Sequence, residues 1–169
     1  GTWGGGVFKS TNNGTSWTAV NGGLTNTYIY SVCFSGTNIF AGTAVGGAFM
    51  STNSGANWIN VGFANKEVRF ITSSGANIFA VVDAEGIYLT KNNGASWVLK
   101  NQGFSTIPAI RTLLITSDII YAGTEAQSIW KRSFIETINV KNISSDVPST
   151  YSLEQNYPNP FNPDTKIRF

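Results

Sequence analysis

The residues that could do chemistry in this chain are a small set of acids and arginines. Its 169 residues include 9 acidic side chains, 11 basic side chains and no histidine. The lack of histidine excludes Ser-His-Asp and Cys-His catalysis and most zinc sites. The candidate ligand-binding residues that remain are Glu67, Arg69, Asp83, Glu85, Arg111 and Glu125.

Two interpretations of these residues are open. Two arginines that face one channel could clamp a carboxylate, because the planar guanidinium matches its two oxygens. The plainer interpretation is that polar residues line a wet channel. A glycosidase needs a pair of carboxyl groups or a comparable nucleophile, and no such pair can be assigned. We therefore predict no catalytic residue, metal site or cofactor in this segment.

Aromatic side chains near loops are the second candidate for binding. Such rings could stack on sugars, since they present an apolar face beside a polar edge. The alternative is that they pack in the core. The aromatic residues in or near loops are Trp3, Tyr28, Tyr30, Phe63 and Phe104.

Charge and hydropathy exclude several other classes of function. The net charge of +2 and the scattered basic residues do not favour nucleic acid. No apolar run approaches the roughly 20 residues of a transmembrane helix. Cys33 is the single cysteine, so no internal disulfide can form. Its strand-like surroundings predict a small buried hydrophobe and not a reactive thiol.

An internal repeat determines the predicted fold. Three segments align without gaps and end at Trp17, Trp58 and Trp97. The period near 40 residues, with strand-type composition, fits one four-stranded propeller blade. The blade units lie near 1–28, 29–66, 67–108 and 109–139. The last unit lacks the Asn-Gly turn of the others, as terminal repeats commonly do.

The turn at the end of each aligned segment has a clear physical basis. Asn12 can accept backbone N–H groups two residues on, and Gly14 can adopt positive φ. Ser10 and Ser16 can satisfy other backbone groups, and Trp17 can bury its ring against a neighbouring sheet. The corresponding residues of the next two turns are Ser51, Asn53, Gly55, Asn57, Trp58, Thr90, Asn92, Gly94, Ser96 and Trp97.

This turn pattern, S/T-x-N-x-G-x-S/N-W, resembles the Asp-box (BNR) repeat of sialidase-like propellers. The same repeat occurs in sortilin-type receptors, xyloglucan-cleaving propeller enzymes and photosystem II assembly-factor propellers. The resemblance implies a propeller fold across residues 1 to about 133, with the box between the third and fourth strands of a blade. Asn stands at the usual Asp position in all three copies, which argues against cation binding there. So broad a family implies little about function.

The repeat also predicts where the candidate residues lie. Propeller ligands usually sit over the central channel, beside the loops that enter the innermost strand and those that join strands two and three. The four candidate acids map on or beside those loops. Arg69 and Arg111 fall at equivalent positions at the start of the innermost strand, where the preceding unit has Tyr30.

The C-terminal part of the chain has a different composition. Residues 140–150 are polar and read as a linker, and the prolines that follow forbid a helix. The string L-x-Q-N-Y-P-N-P-F-N-P-x-T-x-I-x-F resembles the opening of the C-terminal sorting domain of the type IX (Por) secretion system, which implies recognition by that machinery and export across an outer membrane. The motif residues are Asn156, Tyr157, Pro158, Asn159, Pro160, Phe161, Asn162 and Pro163.

Together these features predict an all-β chain. We expect a partial Asp-box propeller of three to four blades at 1–139, an extended linker at 140–150 and the truncated stub of a β-sandwich sorting domain at 151–169, with further blades upstream. The expected function is a secreted or cell-surface binding module of a Gram-negative bacterium, with a polysaccharide or a protein as ligand. The alternatives are a fragment of a secreted glycoside hydrolase, with its catalytic residues on other blades, and a structural spacer.

Overall fold

The structure, a computed structural model, describes residues 1–138. The predicted linker and sorting motif lie outside the described residues. Within 1–138 the chain forms four antiparallel sheets, each a meander of strands that follow one another in sequence. The all-β prediction is confirmed, and the sheets are consecutive propeller blades.

The blades are numbered here from 1 to 4 in chain order. Blade 1 consists of β1 (Phe8–Lys9) and β2 (Thr18–Ala19). Blade 2 consists of β3 (Ile29–Ser35), β4 (Asn38–Thr43), β5 (Ala48–Ser51) and β6 (Ile59–Gly62). Blade 3 consists of β7 (Val68–Ser74), β8 (Asn77–Val82), β9 (Gly86–Thr90) and β10 (Val98–Leu99). Blade 4 consists of β11 (Ile110–Ile115), β12 (Ile119–Thr124) and β13 (Ile129–Ser133) and is followed by the helix α1 (Phe134–Ile138). No helix in this part of the chain is long and apolar enough to span a membrane.

The hydrophobic core lies in layers between neighbouring blades. Strand β8 shows why: the five residues from Ile78 to Val82 are all buried, because blades cover both faces of this sheet and remove the usual in-out alternation. Phe40 of blade 2 packs with Ile71 of blade 3 in one layer, and Phe79 of blade 3 packs with Leu113 of blade 4 in another. Each blade is thus held by its neighbours.

The Asn-Gly turns share one set of hydrogen bonds. In the first turn, Gly14 N donates to Ser10 Oγ (2.8 Å) and Ser16 N donates to Asn12 Oδ1 (2.9 Å). The asparagine therefore accepts from the residue four positions on, and not two as the sequence predicted. Gly14 has φ +85° and Asn13 has φ +54°, so the tip needs two left-handed residues in succession. The turns at 51–58 and 90–97 repeat the same pattern.

The turn tryptophans bind the preceding blade. Trp58 Nε1 donates to Val20 O (2.8 Å), and Trp97 Nε1 donates to Val61 O (2.7 Å). The predicted burial of the ring is wrong for Trp17, whose side chain is 62% exposed. Residues 1–138 place no strand against that indole, so it has neither the packing surface nor the acceptor that the other two rings have.

Candidate ligand-binding surface

A repeated β-bulge positions the candidate arginines. In blade 3 the pairing of β7 with β8 skips Arg69, and in blade 4 the pairing of β11 with β12 skips Arg111. The same shift in blade 2 skips Tyr30. A bulge leaves one residue outside the ladder and redirects its side chain. These three residues are therefore presented in the same way by three consecutive innermost strands.

The loops between the second and third strands supply the acids next to those bulges. Asp83 N donates to Glu67 O (2.9 Å), and Glu125 N donates to Ala109 O (2.9 Å). Both bonds tie a loop to the residue just before an innermost strand. Asp83 and Glu125 consequently occupy equivalent places beside Arg69 and Arg111.

The two arginines share a carboxylate of the chain itself. Arg69 Nε lies 2.5 Å from Asp83 Oδ1, and Arg111 Nη1 lies 3.6 Å from the same oxygen. Arg69 Nη2 lies 2.7 Å from Glu67 Oε2, and Arg111 also pairs with Glu125. The hydrogen bond that Arg69 donates to Asp83 raises the pKa of the guanidinium above its usual value. The guanidinium groups are thus already engaged by acids, so a carboxylate ligand would have to compete with them.

Three aromatic residues extend this cluster at the other end. The Trp3 ring lies 5.0 Å from Tyr28 and 5.2 Å from Tyr30, in edge and tilted orientations. Trp3 is 65% exposed and Tyr28 is 44% exposed. The Tyr30 hydroxyl accepts a hydrogen bond from Arg69 Nη1 (3.3 Å), and the Arg69 guanidinium lies 5.3 Å from the Tyr30 ring centre.

These contacts form one continuous row of side chains that runs from Trp3 near the N-terminus across blades 2, 3 and 4, with an aromatic end and an ionic end. We call it the binding row. Its members are Trp3, Tyr28, Tyr30, Glu67, Arg69, Asp83, Arg111 and Glu125.

Glu85 is a candidate that the structure places in a different cluster. Its carboxylate pairs with Lys66 (2.7 Å) and accepts a hydrogen bond from the Tyr88 hydroxyl (2.9 Å). The Lys66 hydrogen bond lowers the pKa of Glu85, and burial followed by the Glu85 contact raises the pKa of Tyr88. Within residues 1–138 Glu85 forms no ion pair with either arginine of the binding row.

Phe63 and Phe104 are not exposed platforms. The Phe63 ring is half-buried and lies 4.9 Å from Tyr88 and 5.0 Å from Trp97. Phe104, also half-buried, lies 5.2 Å from Trp130. These two rings are less accessible than Trp3, because each packs edge-on or tilted against neighbouring aromatic side chains.

Comparison with known proteins supports the fold alone. No protein-family profile matches the chain, and no match was found among curated proteins. An ancestral GH74 enzyme superimposes with a TM-score of 0.59 at 24% identity, over 76% of this chain and 20% of that one. PorZ of Porphyromonas gingivalis gives 0.56 at 17% identity, over 90% of this chain and 24% of that one. YCF48 from Cyanidioschyzon merolae gives 0.56 at 18% identity, over 78% of this chain and 49% of that one. All three are β-propellers, and this chain spans between a fifth and a half of each.

Proposed function

We propose that this chain is a binding module for a neutral polysaccharide, carried by a protein that is secreted or displayed at a cell surface. The observation that supports the proposal is the binding row, in which an exposed aromatic cluster passes directly into a chain of ion-paired acids and arginines.

Sugar rings match both ends of the row. The apolar face of a sugar can pack on Trp3, and its hydroxyls can donate to carboxylates and accept from guanidinium groups. The row contains three carboxylates and two arginines, so it carries a slight excess of negative charge. An acidic polymer would meet repulsion there, which is why the ligand we infer is uncharged.

The test is calorimetric titration of the full chain with xyloglucan, mannan and polygalacturonate. We expect the neutral polymers to bind, and Trp3→Ala to weaken binding by about tenfold or more, which is about 1.4 kcal/mol. Trp17→Ala is the matched control, since Trp17 is about as exposed as Trp3 but lies outside the binding row. A preference for polygalacturonate, or equal effects of the two substitutions, would contradict the proposal. If none of the polysaccharides binds, the proposal is wrong and a protein becomes the next ligand to test.

A glycoside hydrolase is the alternative function. One of the structural neighbours is a GH74 enzyme, but a shared fold does not carry an activity with it. Each acid of the binding row contacts a guanidinium, so none stands free as a nucleophile. In this alternative the catalytic carboxylates would belong to other blades. Release of reducing sugar from xyloglucan by the protein would support the alternative, and binding without release would support the module.

We further infer that the turns are Asp-box repeats and that the tail is a type IX sorting signal. The same backbone-to-asparagine hydrogen bond in all three turns supports the first inference. The motif at 156–163 supports the second, and PorZ, a fold neighbour, is described as an essential surface component of that secretion system.

Export can be tested in a Gram-negative host that has type IX machinery, with the protein expressed from its own gene. Replacing residues 156–163 by alanine should leave the protein inside the outer membrane, where external protease cannot reach it. Ser144→Ala with Ser145→Ala in the linker should leave export unchanged. Normal export of the motif variant would refute the sorting inference.

A further inference from the structure

Among residues 1–138, the interface between blades 3 and 4 has no turn tryptophan of the kind that bonds across the other two interfaces. Trp58 and Trp97 each reach a carbonyl of the preceding blade. Within residues 1–138, blade 4 shows no corresponding turn, because β13 runs into α1.

Hydrogen bonds identify the position that this indole would face. The amide oxygens of Asn21 and Asn101 each accept a backbone N–H from fourteen residues upstream, at 2.7 and 2.9 Å. The two asparagines are therefore equivalent, and so are their neighbours Val20 and Lys100. Lys100 therefore corresponds to Val20, the residue of blade 1 whose carbonyl accepts the indole N–H of Trp58.

The neighbouring glycines show that the space is open. A Cβ added to Gly23 would collide with the backbone of Trp58, whereas one added to Gly103 would meet no atom within 4 Å. Trp58 N donates to Gly22 O (2.7 Å). Gln102 is the residue equivalent to Gly22, and its carbonyl accepts a hydrogen bond from the side chain of Arg132 (Nη1, 2.8 Å) and not from a backbone N–H.

The result is a cavity of about 270 Å³ between blades 3 and 4. Ile87, Phe104, Ile120 and Trp130 form its apolar walls. A cavity of about 150 Å³ is enough to bind benzene, so this one has room for an indole-sized ring.

The charged groups that line the cavity are all cations. They are Lys100, Lys131 and Arg132, and none forms an ion pair within residues 1–138. Lys100 is only 6% exposed. Burial lowers its pKa, and so do the nearby positive charges of Lys91 and Arg132. Lys100 is largely withdrawn from water, which makes its charge costly, and an anion in the cavity would offset part of that cost.

We propose that this cavity binds a small aromatic carboxylate, with the ring between the apolar walls and the carboxylate towards Lys100 and Arg132. The site is separate from the binding row and does not depend on the proposed function. The ring takes the place of the missing indole, and the carboxylate supplies the charge that the lining lacks.

The probes are indole-3-propionate, indole and tryptamine, titrated into the full chain by calorimetry. Indole-3-propionate should bind at least about tenfold more tightly than indole, and tryptamine should bind least because it is a cation. Lys100→Met should remove the advantage of the carboxylate while leaving indole affinity unchanged. Lys9→Met, on the exposed surface of β1, should change neither affinity.

Two results would overturn the proposal. One is the absence of indole-3-propionate binding up to about 10 mM, and the other is equal affinity for all three probes. Lys100→Met relieves a buried charge, so loss of the fold is not expected to obscure the comparison, and its melting temperature provides the check. Xyloglucan should not displace the probe, so the outcome is independent of the polysaccharide experiment.

Discussion

Arg69 holds its position through three different contacts. Its guanidinium pairs with Glu67 and Asp83 and donates to the Tyr30 hydroxyl, and its side chain is only 25% exposed. Ion pairs that are partly withdrawn from water lose less to screening than fully exposed pairs. Such a preorganised guanidinium has little conformational freedom left to lose when a sugar hydroxyl binds.

The positions of these residues could be predicted from the sequence, but their pairing could not. The repeat aligned Arg69 with Arg111 and placed the acids on adjacent loops, because each blade repeats the same strand order. The sharing of Asp83 by two arginines depends on the distance between neighbouring blades, which no sequence period encodes. The cavity at Lys100 was missed for a related reason. In the aligned repeats a lysine stands where the other copies have Val20 and Val61. The sequence alone does not show that a cavity lies beside this lysine, because the cavity depends on how blades 3 and 4 pack.

Cys33 gives a prediction at the scale of one residue. Burial raises its thiol pKa from 9.0 to about 12, and the side chain packs against the core layer between blades 2 and 3. The neutral thiol therefore contributes stability that is complete below about pH 9 and is lost as the pH approaches 12. Cys33 is half-buried, and at pH 8 we expect iodoacetamide to label the folded chain at least about tenfold more slowly than the urea-unfolded chain. Similar labelling rates, followed by mass spectrometry, would contradict this placement.

Among the elements, the Asn-Gly turns and their tryptophans connect one blade to the next. Each turn rests on its own hydrogen bonds, while the indoles of Trp58 and Trp97 bond to the preceding sheet. The sequence predicted the turns well, because their chemistry is local. It predicted the burial of Trp17 wrongly, because burial depends on which strand lies opposite. The sequence predicted correctly that no Asn-Gly turn forms at Lys131-Arg132-Ser133-Phe134. It did not predict the helix that follows β13.

The indole hydrogen bond predicts unequal effects of one substitution at two sites. Trp58→Phe should lower the free energy of unfolding by about 1–3 kcal/mol, because Val20 O loses its donor in a buried layer. Trp17→Phe should change it by less than about 0.5 kcal/mol, because that ring is exposed. Urea titration of both variants measures the difference. Equal losses at the two sites would show that the indole contact with the preceding blade does not stabilise the fold.

At the scale of the whole molecule, the binding row also joins blades through charge. Asp83 pairs with Arg69 of its own blade and with Arg111 of the next blade. The apolar layers supply most of the stability, since these side chains remain a quarter or more exposed and such pairs contribute little individually. The ionic contacts instead fix the relative positions of the loops that would contact a ligand.

A double-mutant cycle measures this connection. Asp83→Asn combined with Arg111→Met should give a coupling energy of about 0.2–1 kcal/mol that declines at high salt. Asp118→Asn with Arg111→Met is the control cycle, since Asp118 forms no ion pair among residues 1–138, and it should show no coupling. Equal coupling in the two cycles, measured by urea unfolding, would indicate a general charge effect and not a contact between blades.

The most direct test of the account is nuclear magnetic resonance of the full chain with a neutral xyloglucan oligosaccharide. The binding row predicts that the Trp3 indole N–H and the Arg69 and Arg111 Nε–H signals shift together and saturate at one ligand concentration. The Trp17 indole signal should stay unchanged. Shifts that spare Trp3 and the two arginines while moving signals elsewhere would contradict the assignment of the row as the binding surface.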